Sequence, residues 1–170
     1  VQKLYENQSG RKISLPYGVE ALRCYGGVKL QKKTEEILER TEEAQVLNME
    51  GDTIWENETF RTCIFPYSGE KILEKKYTKW LDCDKINCEL SVRTRRSGDY
   101  MIVNQSGGRK KLTRCMIDDK IPGEIRQEIP LVAAKDEILW IVGGRISERY
   151  KITSQTEKVL EITYQGGNLE

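Results

Sequence analysis

Leu131-Val132-Ala133-Ala134-Lys135-Asp136-Glu137-Ile138-Leu139-Trp140-Ile141-Val142 is the stretch that decides the fold class. It reads as two apolar strands, 131–134 and 138–142, joined by a turn at Lys135-Asp136. Strand alternation puts Ile138 and Val142 on the same side as Trp140, which makes the tryptophan a core residue rather than a platform for base stacking. Gly143-Gly144 then permit a bend that carries Arg145 and Arg149 away from the strand.

The same reading extends outward. Lys111 to Asp118 places Leu112, Cys115 and Met116 at i, i+3 and i+4, the spacing of a helix with one buried face. Pro122 suits the first turn of a second short helix over 123–128. Tyr100 to Val103 and Leu90 to Thr94 read as strands, and residues 105–108 as a loop. Upstream, Thr53 to Trp55, Thr59 to Phe65 and Lys75 to Leu81 are β-prone. Val159 to Tyr164 supplies a closing strand. Asp82 and Asp84 have a spacing that would suit a metal, but turn chemistry explains them better.

Near the start, Ile13 to Leu15 reads as a strand, and the runs 19–25 and 28–32 flank Gly26-Gly27 as a hairpin. Val1, Leu4 and Tyr5 read as the tail of a helix stopped by Ser9-Gly10, so the chain is expected to be a fragment. Leu169-Glu170 reads as a cloning scar. Residues 34–44 are glutamate-rich and read as a linker. Strands outnumber helices without alternating with them. The expected class is α+β with a mostly antiparallel sheet, with boundaries at 1–45 and 46–168.

Composition narrows the chemistry. The 170 residues include no histidine, which removes Ser-His-Asp and Cys-His mechanisms from this chain. The five cysteines are scattered, and Cys83 and Cys88 have no second pair with which to build a zinc site. No apolar run is long enough to span a bilayer, so a cytoplasmic protein with free thiols and no membrane partner is expected. The net charge is +1, but residues 1–90 hold 14 basic and 16 acidic residues, and residues 91–170 hold 14 and 11.

The basic excess is local. Arg93, Arg95, Arg96, Arg109, Lys110, Lys111 and Arg114 are seven cations opposed in that interval by Asp99 alone. Such a cluster is an electrostatic footprint for phosphate, with RNA the first candidate. Alternation along the strand sends Arg93 and Arg95 to one face. Arg109, Lys110 and Lys111 are expected to open the helix that follows, where backbone N–H groups already favour anions. Ser106-Gly107-Gly108 invites comparison with phosphate loops, but the following Lys110-Lys111 fits neither a Walker loop nor the Ser-Gly-Gly-x-Asp-Ser loop of PP-loop ATP pyrophosphatases.

At Arg93-x-Arg95-x-x-Gly98-Asp99, Lys110-Lys111-Leu112, Asp119-Lys120-Ile121-Pro122, Arg126, Ile129-Pro130-Leu131, Ile138-Leu139-Trp140-x-x-Gly143 and Arg145, the sequence resembles the C-terminal domain of bacterial tRNA(Ile)-lysidine synthase. Upstream, Ser9-Gly10-x-x-Ile13-x-Leu15-Pro16, Arg23-x-Tyr25 and Trp80-x-Asp82-x-Asp84-Lys85-Ile86 resemble the segments leading into it. Residues 34–76 carry little of the likeness.

The resemblance implies a parent enzyme that uses ATP and magnesium to attach lysine to the wobble cytidine of isoleucine tRNA. It places catalysis in an N-terminal PP-loop domain and implies no cofactor for this chain. The C-terminal domain is implied to hold the tRNA on its acceptor-stem side. Arg93, Arg95, Arg96, Arg109, Lys110, Lys111, Arg114, Lys120, Arg126, Arg145 and Arg149 are the candidate RNA contacts, and no residue is a catalytic candidate. Two alternatives stay open: an interdomain or homodimer module whose arginines pair with acids elsewhere, and an independent nucleotide-using enzyme. The missing histidine and the mismatched phosphate loops weigh against the latter.

Overall fold

The computed structural model describes residues 12–15, 19–24, 26–32, 43–72 and 75–166. The helix tail at Val1 to Tyr5, its stop at Ser9-Gly10, most of the glutamate-rich segment and Leu169-Glu170 lie outside them. Strands β1 (Lys12–Leu15), β2 (Val19–Cys24) and β3 (Gly27–Lys32) form a three-stranded antiparallel sheet. The β2–β3 hairpin pairs Cys24 with Gly27, so Gly27 opens a strand rather than lying in the turn.

Ten further strands form two sheets. β4 (Gln45–Val46), β8 (Ser91–Arg93), β9 (Tyr100–Ile102), β10 (Arg109–Lys111), β11 (Leu131–Ala134) and β12 (Glu137–Ile141) make a six-stranded sheet in the order β10-β9-β12-β11-β8-β4. β5 (Gly51–Trp55), β6 (Glu58–Pro66), β7 (Thr78–Asp82) and β13 (Lys158–Gln165) make a four-stranded sheet in the order β5-β6-β13-β7. Pairing is antiparallel except between β12 and β9. With one α-helix among the described residues, α1 (Leu112–Asp118), the architecture is the expected α+β class with a mostly antiparallel sheet.

The two sheets pack face to face. Trp55, Phe60, Leu81, Leu160, Ile162 and Tyr164 of the smaller sheet share one core with Val92, Val132, Leu139 and Trp140 of the larger. On the other side of the larger sheet, Leu112, Cys115 and Met116 of α1 pack against Met101, Leu131, Ala133, Ile138 and Ile141. The larger sheet is therefore covered on both faces, which is why β11 and β12 are buried at every position. A helix of seven residues is too short to be stable alone, so its three buried side chains hold it in place.

Trp140 is fully buried, as the sequence predicts. Its expected neighbours need a correction. The register of β11 and β12 shifts between Val132 and Ala133, so that Val132 pairs with Trp140 and Ala133 with Ile138. The extra residue on β12 is a bulge, which resets the alternation. Leu139, Trp140 and Val142 face the sandwich, whereas Ile138 and Ile141 face α1.

The expected helix over 123–128 is a run of turns. Ile125 N–H donates to Pro122 O and Glu128 N–H to Ile125 O, in i→i+3 steps that do not continue. Gly123 in the first turn and Pro130 just beyond leave too little chain for a helix to propagate. Asp82 and Asp84 do behave as turn residues. Asp82 caps the 3-10 turn Cys83–Lys85 by accepting from Asp84 N–H, and Asp84 accepts from the N–H groups of Glu157 and Lys158.

Candidate nucleic-acid interface

The cations of the sequence cluster meet different fates. Arg93 ends β8 and is 2% exposed. Its guanidinium donates to both carboxylate oxygens of Asp99, at 2.9 and 2.8 Å, and to the carbonyls of Thr94 and Lys135, at 3.0 and 2.6 Å. Asp99 also accepts from Arg96 N–H at 2.7 Å. Arg93 therefore does not share a solvent face with Arg95. It is a strut between β8, the 95–99 loop and the β11–β12 turn, with four of its five N–H donors already taken.

Arg95, Arg96 and Lys111 converge. With Ser97, Gly98, Thr113 and Gln127 they line an open cleft of about 580 Å³. Gly98 adopts φ +94°, a conformation L side chains rarely take, and this lets the chain reverse between Arg96 and Asp99. Leu112 N–H donates to Asp99 O at 2.9 Å, which ties the loop wall of the cleft to the start of α1. Arg95 is partly buried, and its Nε has no hydrogen-bond partner among the described residues.

Arg109, Lys110 and Lys111 do not open the helix. They form β10, which pairs with β9, and α1 starts at Leu112. Strand alternation then parts them. Arg109 lies over the Tyr100 ring, 4.6 Å from its centroid, and Lys110 pairs with Asp118. Arg114 lies 3.4 Å from the same Asp118. The hydrogen bond from Lys110, backed by the charges of Lys110, Arg114 and Arg145, holds the Asp118 carboxyl below the usual carboxylate range.

Farther along, Arg145 is paired with Asp119, an interaction that raises the arginine's pKa. Arg149 reaches the buried Glu137 at 2.7 Å. Arg126 Nε donates to Ile121 O at 2.8 Å. Lys120 is exposed, follows the helix end with φ +56° and lies along a second cleft with Lys76, Tyr77 and Arg145. Asp118, Asp119 and Glu137 were missed as partners of the cluster. Only the Arg114–Asp118 pair was readable, from its i, i+4 spacing on a helix.

The 103–108 loop closes the β9–β10 hairpin, and its glycine amides are occupied rather than open to a triphosphate. Gly108 N–H is taken by Asn104 Oδ1 at 2.7 Å and Gly107 N–H by Asn104 O at 3.2 Å. A phosphate cradle would need those amides unoccupied. Burial pushes Cys63, Cys83 and Cys115 above the ordinary thiol range, the reverse of what activates a cysteine. No helix among the described residues is long and apolar enough to cross a membrane.

Comparison with known proteins places these features in a family context. Residues 90–162 match the family described as the TilS substrate C-terminal domain. A tRNA(Ile)-lysidine synthase of Caldanaerobacter subterraneus subsp. tengcongensis is 38% identical over 166 residues, covering 96% of this chain and 35% of that protein. One from Clostridium perfringens is 34% identical over 175 residues, covering 96% of this chain and 37% of that protein. The chain thus spans about a third of the length of these curated relatives. Their coverage also carries the likeness through residues 34–76, where the sequence shows no recognisable motif.

A crystal structure of a TILS C-terminal domain superposes with a TM-score of 0.53 at 28% identity, covering 66% of this chain and 86% of that one. Motifs, family match and fold agree: residues 90–162 form a TilS substrate C-terminal domain, and the chain corresponds to the C-terminal region of bacterial tRNA(Ile)-lysidine synthase.

Proposed function

We propose that this chain is the tRNA-holding part of a ligase that attaches lysine to the wobble cytidine of isoleucine tRNA in the cytoplasm. ATP and magnesium would act in a separate catalytic domain, and this chain would perform no chemistry of its own. The observation that carries the reading is the convergence of Arg95, Arg96 and Lys111 in one cleft, with Arg109 and Lys120 as further exposed cations. An A-form stem presents phosphates and 2′-OH groups and is recognised largely by shape, which suits a basic face without a base-reading pocket.

The test is titration of the 170-residue chain with isoleucine tRNA and elongator methionine tRNA over a series of salt concentrations. Binding that weakens linearly in log K against log salt, with little preference between the two tRNAs, is the expected result. An absence of binding at low salt would refute the reading and favour a module that docks on another domain or on a second copy. Incubation with ATP, lysine and tRNA should give no lysidine above blank.

A further inference from the structure

We propose that the cleft of Arg95, Arg96 and Lys111 is a preorganised seat for one phosphodiester of an RNA backbone, built on the buried Arg93–Asp99 pair. The proposal rests on the tRNA-binding reading and names the place where the backbone is gripped.

Four features point to this cleft rather than to the basic surface at large. First, its cations come from the 95–96 loop and from Lys111, which the β9–β10 hairpin brings back beside that loop. Second, Asp99 lines the cleft but does not repel an anion. It is 4% exposed, and its carboxylate is taken by two nitrogens of Arg93 and by Arg96 N–H. Third, the walls are fixed in advance. The Arg93 fork sets the loop, and the Leu112-to-Asp99 backbone hydrogen bond sets its distance from Lys111. Little backbone ordering is left for binding to impose.

Fourth, Arg95 is only partly buried, so its guanidinium keeps surface open to the cleft. A phosphate oxygen meeting it there would gain a charge-assisted hydrogen bond. Four of the cations outside the cleft are already engaged. Lys110 and Arg114 share Asp118, Arg145 holds Asp119 and Arg149 holds Glu137. An incoming phosphate would have to compete with a carboxylate at each of those positions, but among the described residues no acid is paired with Arg95 or Lys111.

The experiment compares Arg95→Ala, Lys111→Ala and Arg114→Ala in the 170-residue chain, with isoleucine tRNA as the probe and fluorescence anisotropy as the readout. Each of the first two should reduce the magnitude of the log–log salt slope by roughly 0.7–0.9 and weaken low-salt binding about tenfold. Arg114→Ala should leave the slope unchanged, and all three should melt like the parent. Arg95→Lys should recover most of the slope while keeping part of the affinity loss, because a single ammonium cannot reproduce the planar fork. If the parent binds tRNA and Arg95→Ala and Lys111→Ala bind as it does, the cleft assignment is wrong while the tRNA reading survives. If the parent fails to bind tRNA at low salt, both are wrong, and an acidic protein surface becomes the better occupant.

Discussion

Arg93 and Asp99 face each other across the start of the 95–99 loop in a bidentate pair at 2.8 and 2.9 Å, with exposures of 2% and 4%. The arrangement converts what looks in sequence like the first cation of an RNA-binding cluster into a buried strut. Removing one partner would strand the other charge away from water. Asp99→Ala should therefore cost about 3–5 kcal/mol, whereas replacing both residues by leucine should cost much less than the two single changes added together. Urea unfolding of the two single variants and the double variant measures this. A loss below about 1 kcal/mol for Asp99→Ala would mean that the pair is solvated after all.

Trp140 is the largest of the fully buried side chains, and its indole Nε1 has no hydrogen-bond partner among the described residues. Trp140→Ala should cost about 3–5 kcal/mol through lost burial and the cavity left behind. Trp140→Phe should cost distinctly less, since it keeps an aromatic ring and removes an unsatisfied donor rather than a hydrogen bond. Thermal melts of the two variants check the order. A folded alanine variant with unchanged melting would contradict the core assignment.

Arg149 was a sequence candidate for RNA contact, yet it lies against Glu137, whose side chain is 8% exposed and whose Oε1 already lacks a partner. Arg149→Ala would leave that carboxylate buried without either oxygen satisfied. A stability loss of about 1–3 kcal/mol is expected, with the tRNA salt slope little changed. Loss of RNA affinity with unchanged stability would reverse the assignment and return Arg149 to the interface.

Asp118 restrains two cations at once. Asp118→Asn removes the charge that engages Lys110 and Arg114. Binding to tRNA should then tighten at low salt, with a steeper salt slope. Melting should hardly move, because the carboxylate is on the surface. Weaker binding in this variant would show that Asp118 serves the RNA contact rather than opposing it.

The pH dependence should be asymmetric. Burial raises the Cys115 thiol and the Tyr150 phenol above their ordinary values. The unfolded chain then loses those protons before the folded one does. Their contribution is fully present below the unfolded thiol value of about 8.5 and is lost as pH rises through the raised folded values. Stability measured by urea unfolding should fall from that pH upward, at up to about 1.4 kcal/mol per pH unit for each group. Cys115→Ser should make the first part of the decline shallower.

Sequence alone determined most of the strand framework and the helix α1, though not β10 or the turns over 123–128. Leu131–Ala134, Glu137–Ile141 and Lys158–Gln165 were legible because apolar runs punctuated by turn residues carry their own local signal. The buried stripe of α1 was legible because Leu112, Cys115 and Met116 repeat at helical spacing. The turn role of Asp82 and Asp84 followed from local backbone chemistry in the same way. Only the tertiary structure decided what the charges do. Arg145 meets Asp119 and Arg149 meets Glu137 through folding, across 26 and 12 residues of chain, and no period in the sequence encodes such partners. The bulge in β12 was equally hidden. One unpaired residue moves Ile138 to the helix side while leaving the composition of the strand unchanged. Hydrophobic periodicity is written along the chain, whereas charge pairing, register and desolvation exist only once the sheets have closed.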